Sequence, residues 1–324
     1  MATRSVSVCV LGGTGFVGSR LVTRLVGEGY RVKVLTRNRE AHRDLLVLPD
    51  LDLTTADVHD PGQLAAQFAS FDVVINLIGI LNERGWSGAG FRRAHTELAA
   101  KVVQACKSSA VPRLLHMSSL GADAQGGPSQ YLRTKGEAEA TVRAQSEGLV
   151  DWTIFRPSVI FGPGDSFTNR FARLLRRLPL ALPLARSNAR FAPVYVDDVV
   201  EAMARALPIH VGGGRTFELC GPKSYSLAEI MRFIAGTLGL RRWVFGLPDF
   251  VGRLQALVMD FIPGKPFSSD NYRSLLVDSV CRQDGLAELA IAPRPMEAIV
   301  RQYLGATSAH GLLDAYRHHS GRVN

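Results

Sequence analysis

Apolar residues fall along this chain in short runs separated by segments of helical spacing. The runs near 5–11, 31–36, 51–56, 72–78, 112–118 and 151–156 are too short for buried helices. Their near-continuous apolar character predicts strands covered on both faces. Between them, apolar positions recur at three- and four-residue intervals, the mark of helices with one buried stripe. Such alternation predicts an α/β fold with a doubly wound parallel sheet of six strands. Local punctuation agrees with that frame: Gly29 follows the first helix (16–26), Asp60-Pro61 opens the third, Ser129 caps the fifth and Gly148 ends it.

After Arg156-Pro157 the rhythm gives way to Gly- and Pro-rich loops. A short strand at 193–196, a helix from Asp197, a strand at 215–219, a helix from Ser226 and further helices from Leu247 follow. This predicts a smaller α/β C-terminal lobe over 161–308 after a first domain at 1–160, with a soft boundary, a chain that crosses back, and a fraying tail at 309–324. Within Trp243 to Pro263, Val244, Leu247, Phe250, Val251, Leu254, Leu257, Val258 and Phe261 recur at near-helical spacing. The ordinary expectation is a helix that closes over the lobe. The alternative is docking on an anionic membrane or membrane complex, given Arg241, Arg242 and Arg253 nearby.

Composition adds few constraints. With 324 residues, 46% hydrophobic and 21% charged, the chain can bury a large core. Its net charge of +9 is scattered apart from Arg170, Arg173, Arg176 and Arg177, and no nucleic-acid motif accompanies it, so no nucleic-acid partner is expected. Cys9, Cys106, Cys220 and Cys281 are far apart and form no Cys-x-x-Cys pair; they predict reduced, mostly buried thiols and no metal site. The run 5–11 leads straight into a glycine turn, which predicts a first strand rather than a targeting segment. The expected location is cytoplasmic, with a peripheral place at the inner face of the membrane as the alternative.

The chemistry begins at Gly12-Gly13-Thr14-Gly15-Phe16-Val17-Gly18. Gly-x-x-Gly-x-x-Gly between a strand and a helix is a dinucleotide turn of the Rossmann type. Gly12 makes the tight turn, Gly15 admits a pyrophosphate, and Gly18 lets helix and strand pack closely, with Thr14, Phe16 and Val17 completing the cradle. At the end of the second strand, where a carboxylate would bind the adenosine ribose, the chain reads Thr36-Arg37-Asn38. A guanidinium there suits a 2′-phosphate, so NADP(H) is expected over NAD(H). Asp57 and Val58 are placed to meet the adenine.

Tyr131 and Lys135 stand at i and i+4 on one helix face, where an ammonium would favour the phenolate and make the phenol a proton donor or acceptor. Taken with the glycine turn, Leu115-His116-Met117-Ser118-Ser119 and Arg156-Pro157-Ser158-Val159-Ile160-Phe161-Gly162-Pro163-Gly164, this set resembles the extended short-chain dehydrogenase/reductase superfamily. Ser-Ser-Leu-Gly-Ala-Asp, Tyr-Leu-Arg-Thr-Lys-Gly-Glu-Ala-Glu and Pro266-Phe267-Ser268-Ser269-Asp270-Asn271 are similar to its atypical branch, which contains the NADPH-binding accessory subunit of respiratory complex I and bacterial relatives. The resemblance implies a catalytic Tyr131, a Lys135 that holds the nicotinamide ribose, and Ser119, or alternatively Ser118, orienting a carbonyl. It also implies that Leu77, Ile78 and Gly79 pass beneath the cofactor, with Pro157 and Val159 beside the nicotinamide. The superfamily's usual asparagine is replaced by His95, for which a packed helix histidine is the commoner role.

Three functions follow. The first is an NADP(H)-dependent oxidoreductase acting on a hydroxyl or carbonyl of an unidentified, fairly apolar small molecule. The second is a non-catalytic NADPH-bound subunit or assembly factor of a membrane-associated respiratory or quinone-synthesis complex. The third is a sugar-nucleotide epimerase or dehydratase, whose diphosphate substrate would call on Arg170, Arg173 and Arg190.

Overall fold

The computed structural model describes residues 6–83, 85–262, 265 and 267–305. The tail at 309–324, together with Pro263 and Pro266, lies outside them. Seven parallel strands form the main sheet: β1 (Ser7–Leu11), β2 (Arg31–Thr36), β3 (Leu51–Thr55), β4 (Val73–Asn76), β5 (Arg113–Met117), β6 (Asp151–Pro157) and β7 (Arg215–Leu219). Their order is β7-β6-β5-β4-β1-β2-β3. Every residue of β1, β4 and β5 is buried, which is why these strands read as mainly apolar runs, broken only by Ser7, Asn76, Arg113 and His116. Leu11 pairs with Leu35 of β2 on one side and Asn76 of β4 on the other. The winding direction reverses between β1 and β4, and such switch points open a crevice at the carboxyl ends of the strands.

Helices α1 (Phe16–Gly27), α2 (Pro61–Phe68), α3 (Ala89–Arg92), α4 (Leu98–Ser108) and α5 (Gln130–Ser146) connect the strands. Asp60 caps α2 by accepting from the Gly62 and Gln63 amides, with Pro61 pre-set at the first helical position. Ser129 caps α5 through the Leu132 amide. Phe68, Leu98, Val102, Val103, Leu114, Val142 and Ile154 belong to one core cluster that fastens α2, α4 and α5 to the sheet. A π turn at Arg93–Glu97 joins α3 to α4, a device that re-aims side chains within a helix.

The chain divides into two compact units. One comprises 1–157, 199–219 and 283–291; the other comprises 158–198, 220–282 and 292–324. The run at 215–219, expected in the smaller lobe, is instead the seventh strand of the main sheet, paired with β6 from Arg215↔Thr153 to Leu219↔Pro157. Its apolar pattern specifies a strand without specifying which sheet it joins.

Two expectations for the second unit are corrected. Cys220 and Cys281 form a disulfide across 61 residues, whereas Cys9 and Cys106 are the buried free thiols. Burial pushes the Cys9 thiol up to about 12 and the Cys106 thiol up as well. The second correction concerns the helix Asp249–Met259. Its buried residues are Gly252 and Ala256, set against Ala185 and Tyr272, while the large apolar side chains face outward. A Cβ at Gly252 would come within 2.9 Å of the Ala185 Cβ, so the helix packs through its small side. Of the apolar stripe read from the sequence, Val244 is buried in the strand Trp243–Gly246 and Leu247 and Val251 are half-buried, while Phe250, Leu254, Leu257, Val258 and Phe261 stay exposed. Among the described residues no helix is long and apolar enough to cross a membrane.

Candidate active site

The glycine turn fills the switch point. Gly12 takes φ +78°, and a Cβ there would press within 3.2 Å of the Leu77–Ile78 backbone. Gly18 is closed off by the Gly12 carbonyl and by Gly13 Cα, 2.6 Å from where its Cβ would stand. Gly15 differs from both: it is exposed, and its Cβ would meet only the Gly12 oxygen at 3.3 Å. The first turn of α1, in which Phe16 and Val17 follow Thr14 and Gly15, has neither a side-chain cap nor an acidic residue. Its free amides and the positive helix end can therefore receive a phosphate.

Arg37 is exposed just past β2 and engages no acidic side chain among the described residues. Asp57, past β3, accepts from the His59 amide at 2.9 Å, while its own amide donates to Gln63 Oε1; Val58 beside it is buried. Asn76 Oδ1 accepts from the Ile78 amide at 3.1 Å and so shapes the Leu77-Ile78-Gly79 segment. A Cβ on Gly79 would lie 3.1 Å from Lys135 Nζ and 3.5 Å from His95 Nε2. The glycine turn, the end of β4 and the α5 lysine thus converge.

His95 is 2% exposed. Its Nε2 accepts from the Ile80 amide at 3.1 Å, which assigns the proton to Nδ1. Nδ1 then donates to Thr134 Oγ1 at 2.9 Å, and Thr134 donates onward to the Gln130 carbonyl. Burial, with the Lys135 charge second, lowers the imidazole to about 2. The ring is a neutral clamp lying edge-on to Tyr131, with centroids 5.5 Å apart.

Lys135 is buried and donates to the Met117 carbonyl at 3.0 Å; burial lowers its ammonium to about 8, against an opposing pull from Glu139. The phenol of Tyr131 is raised by burial, and the Ser119 hydroxyl works against that rise. The lowered phenol expected from the Tyr-Lys spacing is thus reversed, because desolvation of the phenolate outweighs its neighbours. The Ser119 hydroxyl lies beside the phenol, and its Oγ is buried without a partner in hydrogen-bond geometry among the described residues. Ser118 is committed elsewhere: it donates to Glu139 Oε1 at 2.5 Å. Of the two serines, Ser119 has the spare hydrogen-bonding capacity.

A native lysine at about 8 releases its proton before the unfolded chain does, so its contribution to stability rises from about pH 8 toward the ordinary lysine value. Comparison with Lys135→Met isolates that contribution. The stability difference should move in favour of the wild type as pH rises through this window. Parallel denaturation curves at neutral and alkaline pH would refute the depressed ammonium.

Glu139, one turn beyond Lys135, is the site residue the sequence reading missed. It is 1% exposed and receives Arg156 at 2.8 and 2.6 Å, Arg143 at 2.8 Å and the Ser118 hydroxyl. Its spacing of four from both Lys135 and Arg143 was the available signal. Pro157 ends β6 in the first unit, whereas Val159 belongs to the second, its carbonyl accepting from the Val194 amide. Of the arginines considered for a diphosphate, Arg170 donates to the Lys265 carbonyl, Arg190 donates to Ser224 Oγ, and Arg173 is exposed.

The model of the NAD dependent epimerase/dehydratase family matches residues 8–220. The chain belongs to that family. Among its relatives, a Rattus norvegicus protein named NADH dehydrogenase [ubiquinone] 1 alpha subcomplex subunit 9, mitochondrial, is 30% identical over 299 residues, covering 89% of this chain and 77% of its own. A ceramide reductase of Caulobacter vibrioides is 30% identical over 245 residues, covering 75% and 74%. MoeE5, solved in complex with UDP-glucose and NAD, superposes with a TM-score of 0.69 at 20% identity, over 96% of this chain and 99% of that one. At that identity the likeness speaks for the epimerase/dehydratase fold. The resemblance to the extended short-chain dehydrogenase/reductases, on the branch of the complex I subunit, holds.

Proposed function

We propose that this chain is an NADP(H)-dependent oxidoreductase that reduces a carbonyl of an apolar small molecule. The observation that carries the reading is the grouping of a protonated phenol, a buried lysine and an unpartnered serine hydroxyl at the carboxyl ends of β4 and β5. The dinucleotide supplies the hydride when bound. Ser119 then orients the carbonyl oxygen, and Tyr131 Oη gives it a proton as charge develops there. A raised phenol is protonated at neutral pH, which favours the reductive direction. Lys135 lies where it can bind the ribose hydroxyls, with Gly79 leaving it room. The ceramide reductase among the relatives supports a lipid-like substrate.

A second reading is a bound but non-reacting NADPH subunit of a membrane-associated respiratory or quinone-synthesis complex, favoured by the complex I relatives. NADPH consumption by the purified protein with long-chain carbonyl compounds separates the two. Turnover supports the enzyme; tight binding without turnover supports the subunit.

Cofactor choice rests on Arg37. Arg37→Asp should weaken NADPH roughly 10- to 100-fold more than NADH, since a charge-assisted contact to the 2′-phosphate is replaced by repulsion. Equal losses for both cofactors in titration would refute the assignment.

A further inference from the structure

We propose that the outward face of the helix Asp249–Met259 docks on an anionic lipid bilayer. Phe250, Leu254, Leu257, Val258 and Phe261 are 74%, 58%, 49%, 56% and 74% exposed. They recur at i, i+4, i+7, i+8 and i+11, which places them on one face. Globular helices ordinarily turn such residues inward. Here Gly252 and Ala256 occupy the buried side, and Ile262, 44% exposed, extends the apolar face past the helix end. A contiguous face of this kind marks an interaction surface.

Charge favours anionic lipid as the occupant. Arg253 pairs with Asp249 at 2.9 Å and still keeps its side chain 68% exposed, one position before Leu254. Lys265 follows the helix, and its carbonyl holds Arg170, the first of four arginines on the helix Thr168–Arg177, which carries no acidic residue. The acids nearest the apolar face are spoken for: Asp249 by Arg253, Arg186 and the Tyr272 hydroxyl, and Asp260 by the Ser269 amide. The described residues of the second unit hold 16 Lys and Arg against 9 Asp and Glu, and so account for most of the chain's net charge of +9. Apolar side chains entering the acyl boundary, flanked by cations at headgroup level, constitute an interfacial helix.

The test is flotation of the full chain with protein-free vesicles of phosphatidylcholine plus phosphatidylglycerol, and of phosphatidylcholine alone, at low and high salt. The wild type should float with the anionic vesicles and far less with the neutral ones. Phe250→Ser with Leu254→Ser should lower partitioning by roughly tenfold or more, since two exposed apolar side chains no longer enter the acyl boundary. Arg253→Gln with Lys265→Gln should weaken binding and flatten its salt dependence. Phe250, Arg253 and Leu254 are exposed and Lys265 is half-buried, and an unchanged urea unfolding midpoint reports an intact fold. Absence of flotation with either vesicle overturns the proposal, as does unchanged flotation of the serine variant. Dimerisation abolished by the serine changes without vesicle binding would assign the face to a second copy. Association with native membranes but not with protein-free vesicles would assign it to a protein. None of these outcomes depends on carbonyl turnover, so the catalytic reading stands or falls separately.

Discussion

Tyr131→Phe is expected to lower NADPH-dependent carbonyl reduction by about two to four orders of magnitude while NADPH affinity stays nearly unchanged. The phenol is the acid best placed to protonate a substrate oxygen at neutral pH. His95 has no proton to give, since its Nδ1–H is committed to Thr134 and its Nε2 to the Ile80 amide. Lys135 is engaged by the Met117 carbonyl. The dinucleotide contacts proposed for this chain, by contrast, are the glycine turn, Arg37 and Lys135, which the substitution leaves in place. Single-turnover rates measured with saturating NADPH separate chemistry from binding. Equal rates for the variant and the wild type would remove Tyr131 from the reaction.

Glu139→Gln is expected to cost about 3 kcal/mol of folding stability, near the lower end for breaking a buried ion pair because both arginines keep some contact with water. The side chains of Arg156 and Arg143 are 26% and 37% exposed, against 1% for Glu139. Removing the carboxylate charge leaves two guanidinium groups facing each other, and an amide NH2 in place of Oε2 can no longer accept from Arg156 and Arg143. A drop in the urea midpoint with an unchanged slope would report the loss. Replacing Arg156 by Met in the same chain should recover part of it. A single variant as stable as the wild type would show that Glu139 does not hold this end of the sheet together.

The first half of the fold was legible because its central strands β1, β4 and β5 are buried on both faces and its turns carry residues with a backbone reason to be there. Gly12 has its positive φ, Asp60 its two amides and Ser129 its cap. The glycine turn and the Tyr131–Lys135 face were legible because a local spacing specifies them. What the sequence concealed depends on partners distant in the chain. β7 could be recognised as a strand but not as β6's neighbour. Ser118 and Ser119 are adjacent and chemically identical, and only Glu139, twenty residues away, distinguishes them. The helix Asp249–Met259 shows why periodicity alone misleads: it counts apolar residues and is silent on which face a neighbour can approach. Gly252 allowed the closer approach.

The disulfide has a topological consequence. Cys220 follows the last residue of β7, and Cys281 stands two residues before the chain returns to the first unit at Gln283. The bond therefore seals the stem of a long excursion and makes a ring of it. By chain entropy, closing a loop of this length is worth about 4 kcal/mol. A single break anywhere inside the ring would leave the polypeptide in one covalent piece, with both stem ends still held at the edge of the sheet. The outward-facing helix Asp249–Met259 lies within that ring, so this surface is carried on a loop tethered at both ends, and cutting the loop would not release it.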